Sequence, residues 1–306
     1  MSDSKTRDSF YRFRMLAKHF MAKNLVDRKR INMGGFRNFS DIQISIPIYR
    51  NPSNVFPSDF NQQLISSFKD STRLIFVDLE TVPFAQEFFE MIQEKFDGAF
   101  IIDSRDQSLE TKPQWVGSMA SWAAPNIPNP KTSTGILIPL GVEEARRATH
   151  NLPWLFPTHR PMINRILVGP FAQTHHSRAS LDFKDSTKSI EVMSQRLSPK
   201  QYVKHTKDFR MVFCPRGNGI DTHRVWETLY RNSIPVVIRS EWSEYFKNLG
   251  LPFFLIDKVD ELYELTNSQI ENIYSELYSK LETNKYQLTH EYWISRTQTL
   301  GNDAPD

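Results

Sequence analysis

Cysteine is almost missing from this chain: Cys214 is the only one in 306 residues. No internal disulfide can form, which agrees with a reducing compartment, and zinc chemistry through cysteine is excluded. No apolar run approaches the ~20 residues of a membrane span. The first residues lack the apolar core of a signal peptide, so the sequence predicts a cytoplasmic, non-secreted protein. A repeat of fixed period is also absent. What remains is 39% hydrophobic and 24% charged, with 22 phenylalanines, the composition of a folded chain rather than a disordered one. Its length exceeds the usual size of one core, so two domains of roughly 120 to 150 residues are expected.

Net charge is only +3, but it is uneven. Residues 1–40 hold ten Lys or Arg against Asp3, Asp8 and Asp27. On an otherwise balanced chain this is a small electrostatic footprint, so nucleic acid is not expected as a partner; a basic adaptor would show strongly salt-dependent binding. Within the segment, Phe10, Phe13, Ala17, Phe20, Met21 and Leu25 recur at helical spacing between basic residues. This amphipathic stripe packs on the chain's own body or, alternatively, makes a peripheral membrane contact.

Beyond it, apolar runs alternate with helical patterns. Ile42, Ile44, Ile46 and Ile48 alternate as a half-buried strand, with Pro47 favouring an edge. Leu74 to Val77, Ala99 to Ile102 and Ile136 to Ile138 are continuous runs of the kind buried in parallel sheets, and a helix is predicted over 84–96. Proline-rich stretches at 125–130 and 151–161 are irregular, and one of them joins the domains. A second unit opens at Arg165 to Gly169, adds Phe253 to Ile256, and closes with a helix carrying Ile270, Ile273, Leu277 and Leu281. The expected division is a basic segment over 1–40, α/β domains over 41–162 and 163–285, and a C-terminal helix over 286–306 packing back on the first.

One stretch specifies chemistry, Cys214-Pro215-Arg216-Gly217-Asn218-Gly219-Ile220-Asp221-Thr222-His223-Arg224-Val225-Trp226-Glu227. The strand Met211 to Phe213 feeds a glycine-containing turn, Asp221 or Thr222 caps a helix, and Ile234 to Ile238 forms the next strand. Such a loop lies at the carboxyl edge of a parallel sheet, and the helix after it presents unpaired amides to an anion. Gly217 and Gly219 permit close backbone approach, while Arg216 and Arg224 supply planar donor forks matched to phosphate. Glu227, three residues beyond Arg224, either accepts ribose hydroxyls or pairs with Arg224 or Arg231. The loop lacks Gly-Lys-Ser/Thr and a third dinucleotide-type glycine, which removes the kinase and dehydrogenase readings.

Carboxylates that follow first-domain strands, Asp78, Glu80, Asp103, Glu143 and Glu144, are candidates for a general base, as is His175 of the His175-His176 pair; each alone also fits a solvated or capping role. Trp115, Trp122 and Trp154 are either sugar-stacking or core residues, and Cys214 reads as a small buried hydrophobe.

Phe213 to Val237 closely resembles the donor-site signature of exostosin-like glycosyltransferases, including the ribitol xylosyltransferase branch. Upstream, Asn126, Pro130-Lys131 and Ile138-Pro139-Leu140-Gly141-Val142-Glu143 are similar to a looser pattern in bacterial and viral relatives, and with Val168-Gly169-Pro170-Phe171 the match spans roughly 110–240. The resemblance implies a GT-B architecture, two Rossmann-like α/β domains facing across a cleft. It implies a nucleotide-sugar donor, UDP-sugar favoured, and a glycan or lipid-linked acceptor. The donor-binding set it implies is Arg216, Gly217, Asn218, Gly219, Asp221, Thr222, His223, Arg224 and Glu227, with both arginines on the diphosphate and Glu227 on the ribose. Family members invert configuration and generally need no metal held by Asp-x-Asp, a motif this chain lacks; no cofactor is implied. The alternative is a noncatalytic nucleotide-sugar or carbohydrate-binding protein.

Overall fold

Among the described residues ten parallel strands form two sheets of five. The computed structural model describes residues 30–45, 56, 58–143, 160–172, 174–179, 181, 183, 185–195 and 197–300. The amphipathic stripe at 8–25, the run Ile46 to Ile48, Glu144 and Trp154 lie outside the described residues.

The first sheet contains β1 (Ile42–Ile44), β2 (Leu74–Asp78), β3 (Ala99–Asp103), β4 (Ser121–Ala124) and β5 (Ile136–Leu137), in spatial order β1-β2-β3-β4-β5. The second contains β6 (Ile163–Val168), β7 (Ile190–Val192), β8 (Phe209–Phe213), β9 (Ile234–Ile238) and β10 (Phe254–Ile256), in order β10-β9-β8-β6-β7. All pairings are parallel, as continuous apolar runs such as Leu74–Val77 and Met211–Phe213 require when both faces are covered.

The helices are α1 (Met33–Phe39), α2 (Phe60–Ser67), α3 (Gln86–Ile92), α4 (His176–Ala179), α5 (Pro199–Thr206), α6 (His223–Tyr230), α7 (Glu241–Asn248), α8 (Glu261–Glu264), α9 (Asn267–Thr283) and α10 (His290–Leu300). The helix expected over 84–96 is shorter. A 3-10 turn over Leu79–Phe84, capped by Asp78 and interrupted by Pro83, occupies the approach to α3. Residues 30–40 are part of the fold rather than of a separate basic segment: Ile31 and Phe36 are buried, and Asn32 caps α1 by accepting from the Gly35 amide.

Strand order positions the site. In the first sheet the chain moves steadily from one edge to the other. In the second it moves from β6 outward to β7, then crosses back to lay β8 on the other side of β6. Loops leaving β6 and β8 therefore diverge, and in open α/β sheets the crevice between such loops, at the carboxyl ends of the strands, is where ligands bind.

The C-terminal helix ties the layers together. The Ser121 hydroxyl on β4 donates to the Thr297 carbonyl of α10, and the His290 imidazole packs against Gly35 of α1. Trp293 is fully buried, with its ring edge-on to Phe246 of α7 at 5.7 Å and its indole N–H donating to the Gln287 carbonyl. Trp293→Ala should cost about 3–5 kcal/mol of unfolding free energy in a denaturant titration. A loss below about 1 kcal/mol would show that α10 contributes little to the core.

Candidate functional site

The loop between β8 and α6 is held from both sides. On one side it docks on the first sheet's loops. The Asp221 amide donates to the Asn126 side-chain oxygen at 3.0 Å, the Leu140 amide donates to Asp221 at 2.8 Å, and the His223 ring nitrogen Nδ1 meets the Gly141 carbonyl at 2.6 Å. The upstream and downstream sequence blocks singled out above therefore interlock in space.

This docking changes the role of two expected ligand-binding residues. Gly219 lacks a side chain because Asn126 occupies the place: a Cβ there would lie 2.6 Å from the Asn126 oxygen. By contrast, a Cβ on Gly217 would meet nothing closer than 3.5 Å. Asp221 is 2% exposed, and besides Leu140 it accepts from the Trp226 indole at 2.7 Å. Its carboxyl is a joint between the halves at the lining of the larger cleft. Burial pushes it up to about 8, against the Leu140, Trp226 and Thr222 hydrogen bonds that favour the ionised form.

On the other side the loop faces a cleft of about 500 Å³ at the crossover between β6 and β8, lined by residues that include Phe171, Tyr202, Thr222, Arg224 and Glu227. α6 forms because Val225, Trp226 and Leu229 share its buried face; Thr222 is its N-cap, without a side-chain capping bond. The helix ends at Tyr230 with Arg231 as its C-cap, and Asn232 just beyond has a φ of 60°, the left-handed conformation that asparagine tolerates at a helix end. Arg224 projects from its first turn between the rings of Phe171 and Tyr202, 4.7 and 5.2 Å from their centroids. One terminal nitrogen donates to the Pro170 carbonyl at 2.8 Å. The other, Nη1, is buried with no hydrogen-bond partner among the described residues, and the same holds for the Thr222 hydroxyl. Others, such as Trp242 Nε1, lie away from the cleft, whereas Arg224 and Thr222 line it, where a ligand atom would complete the set.

Arg216 is partly buried, lies outside the lining of this cleft and donates to the Asn218 carbonyl, while exposed Asn218, which is in the lining, reaches Asp106 of the first half at 3.2 Å. Glu227 lines the cleft from α6 and forms a buried ion pair with Arg231 at 3.4 Å. Arg231, rather than Arg224, is thus the partner that orients the carboxylate.

Sequence reasoning missed Arg178 of α4. Its guanidinium donates to the carbonyls of Arg216, Pro215 and Ala172 and to the Thr174 hydroxyl, clamping the loops that leave β6 and β8. Burial and nearby Arg224 lower its affinity for its proton, so an anion in this cleft would relieve a concentration of positive charge.

The base candidates separate. Asp78 and Asp103 are register partners at the ends of β2 and β3 and line a second cleft of about 280 Å³ with Arg105, Glu143 and His223. Asp78 is bound by Arg105 through both oxygens, at 2.6 and 3.4 Å, and is committed to that pair. Glu80, half-exposed on the 3-10 turn, also leans on Arg105 and is not in the lining. Asp103 is raised to about 6 by burial and by the Asp78 charge, offset in part by the Arg105 amide. His175 bonds Ser177, packs against the tilted His176 ring at 4.0 Å and lines neither cleft; burial and Arg216 push it down. Trp122 is buried and Trp115 packs on Phe89 and Phe100, so both are core residues. Cys214 is buried and pushed up to about 12 by that burial.

The two clefts share Asp106, Leu140 and His223, so His223 stands where they join. Among the described residues no helix is long and apolar enough to cross a membrane. No protein-family model matches the chain, and no curated protein matches it significantly.

Asp221 carries a pH signature. The unfolded carboxyl ionises near pH ~4, whereas the folded one holds its proton to about 8. Its contribution is complete below the unfolded value and is lost as pH rises through the folded one. Wild-type stability measured against Asp221→Asn should fall across this window by at most about 1.4 kcal/mol per pH unit and then level off. A difference independent of pH would contradict the buried, protonated carboxyl.

Proposed function

We propose that the chain is a glycosyltransferase moving a sugar from a nucleoside-diphosphate donor to a hydroxyl acceptor, with the two sheets in a GT-B arrangement. The observation that carries this is the pair of unpartnered polar atoms, Arg224 Nη1 and the Thr222 hydroxyl, at a cleft that opens at the crossover between β6 and β8. A diphosphate supplies the missing acceptors, and the N-terminal turn of α6 adds its dipole. The likeness of residues 213–237 to the exostosin-like donor signature, and the contact between that block and Asn126, Leu140 and Gly141, support the same reading.

In this proposal Arg216, Arg224 and Thr222 hold the diphosphate, Gly217 leaves room for it, and Glu227, oriented by Arg231, accepts from the ribose. The acceptor enters the smaller cleft. Asp103 removes the proton from its hydroxyl, the oxygen attacks the anomeric carbon, and the bond from that carbon to the β-phosphate oxygen breaks. The electron pair leaves with the nucleoside diphosphate, whose charge the arginines stabilise. A carboxyl raised to about 6 is basic enough to take a proton and still ionised near neutrality. Single displacement inverts the anomeric configuration.

Thermal-shift titration with UDP, GDP, ADP, CDP and UDP-sugars tests the site, since a ligand of the folded state raises apparent stability. At least one should stabilise the wild type. Arg224→Ala should weaken that ligand on the order of 30-fold or more, corresponding to ~2 kcal/mol for a charged hydrogen bond. Equal responses would remove Arg224 from the site. With an active donor and acceptor pair, kcat/KM should show an acid limb near the Asp103 value of about 6. Asp103→Asn should abolish transfer while diphosphate affinity stays within about twofold. Transfer at wild-type rate would assign the base elsewhere.

A further inference from the structure

We infer that Tyr202 is a ligand-binding residue, with its hydroxyl completing, together with the Glu227 carboxylate, a subsite for the ribose of a ribonucleotide; the inference rests on the nucleoside-diphosphate reading above. Tyr202 is 6% exposed, lines the larger cleft, and its hydroxyl has no hydrogen-bond partner among the described residues. Leaving such a hydroxyl unpaired costs about 1–3 kcal/mol, which phenylalanine in the same place would avoid. No local motif marks Tyr202, which lies within α5.

Its neighbours say which part of a ligand it meets. Tyr202 and Thr206 lie one turn apart on α5, and both contact Arg231: its guanidinium stands 5.5 Å from the Tyr202 ring centroid and donates to the Thr206 hydroxyl at 3.1 Å. Arg231 in turn holds Glu227 at 3.4 Å. α5 is thus fastened to the Glu227 end of the cleft. Arg224 covers the same ring at 5.2 Å, and its Nη1, unpartnered among the described residues, is the group assigned above to the diphosphate. A carboxylate that only accepts and a phenol that both donates and accepts suit a vicinal diol, whose two hydroxyls do the same. A site built to hydrogen-bond a hydroxyl strongly rejects the analogue lacking it, because its own buried groups are then left unpaired.

Two measurements on wild type and Tyr202→Phe test this. The melting temperature of the free protein should be unchanged or higher in the variant; a lower one would show a structural bond to the hydroxyl and overturn the inference. Calorimetric affinities are then compared for UDP, GDP, ADP and CDP and for their 2′-deoxy and 3′-deoxy forms. Wild type should prefer the ribonucleotide over at least one deoxy form by on the order of tenfold, and Tyr202→Phe should lose about tenfold on the ribonucleotide and erase that preference. Equal losses on all three forms would put the hydroxyl on phosphate instead, and no loss would remove it from the site; either overturns the assignment while leaving the diphosphate site standing. If no diphosphate binds the wild type, the donor site itself is refuted.

Discussion

The Asp221 carboxyl, closed off from solvent between the Leu140 amide and the Trp226 indole, is the contact on which the geometry of the cleft depends. It fixes the β8–α6 loop to the first sheet while Asn126 holds the same loop by its backbone. Once these bonds form, Arg224 must leave the first turn of α6 toward the loop after β6, and His223 must stand where the two clefts meet. One short segment therefore serves as the seam between two sheets and as a wall of the cleft. Loosening the seam would also move the arginines.

Several polar groups around the larger cleft are kept at a cost to stability. Arg224 Nη1, the Thr222 hydroxyl and the Tyr202 hydroxyl are all buried without partners among the described residues. Beside them, partly buried Arg178 makes four bonds to the flanking loops and Arg231 reaches both Glu227 and Thr206. Unpartnered buried atoms also occur away from the cleft, at Ser104, Arg165 and Trp242, so it is the gathering of these three residues in the lining of one cleft that marks a binding site. The smaller cleft has a different character: Asp78 is neutralised by Arg105, whereas Asp103 next to it bears the burial and the like charge.

Much of the framework could be read from the residues. The uninterrupted apolar runs at Leu74, Ala99, Met211 and Ile234 gave their strands because burial on both faces of a parallel sheet demands that composition. β4 and β7 were missed, since Ser121–Ala124 is mostly small and Ile190–Val192 is a three-residue edge strand. At the site, the arginines and Glu227 were legible from spacing, but the partners that orient them come from distant segments. Gly219 in a glycine-containing turn suggested backbone approach to a ligand, yet the close neighbour is Asn126, 93 positions earlier in the chain. Likewise Asp221 beside Thr222 suggested a helix cap, whereas tertiary burial turned it into a joint. Arg178 and Tyr202 carry no local motif, because their importance lies in contacts between helices and loops that only folding brings together.

The most direct measurement is a crystal structure of the full chain grown with a nucleoside diphosphate or nucleotide sugar. The proposed transfer predicts phosphate oxygens within hydrogen-bond distance of Arg224 Nη1 and the Thr222 hydroxyl, with the ribose toward Glu227. An empty cleft at saturating ligand, or a nucleotide bound elsewhere with those atoms still unpaired, would contradict it.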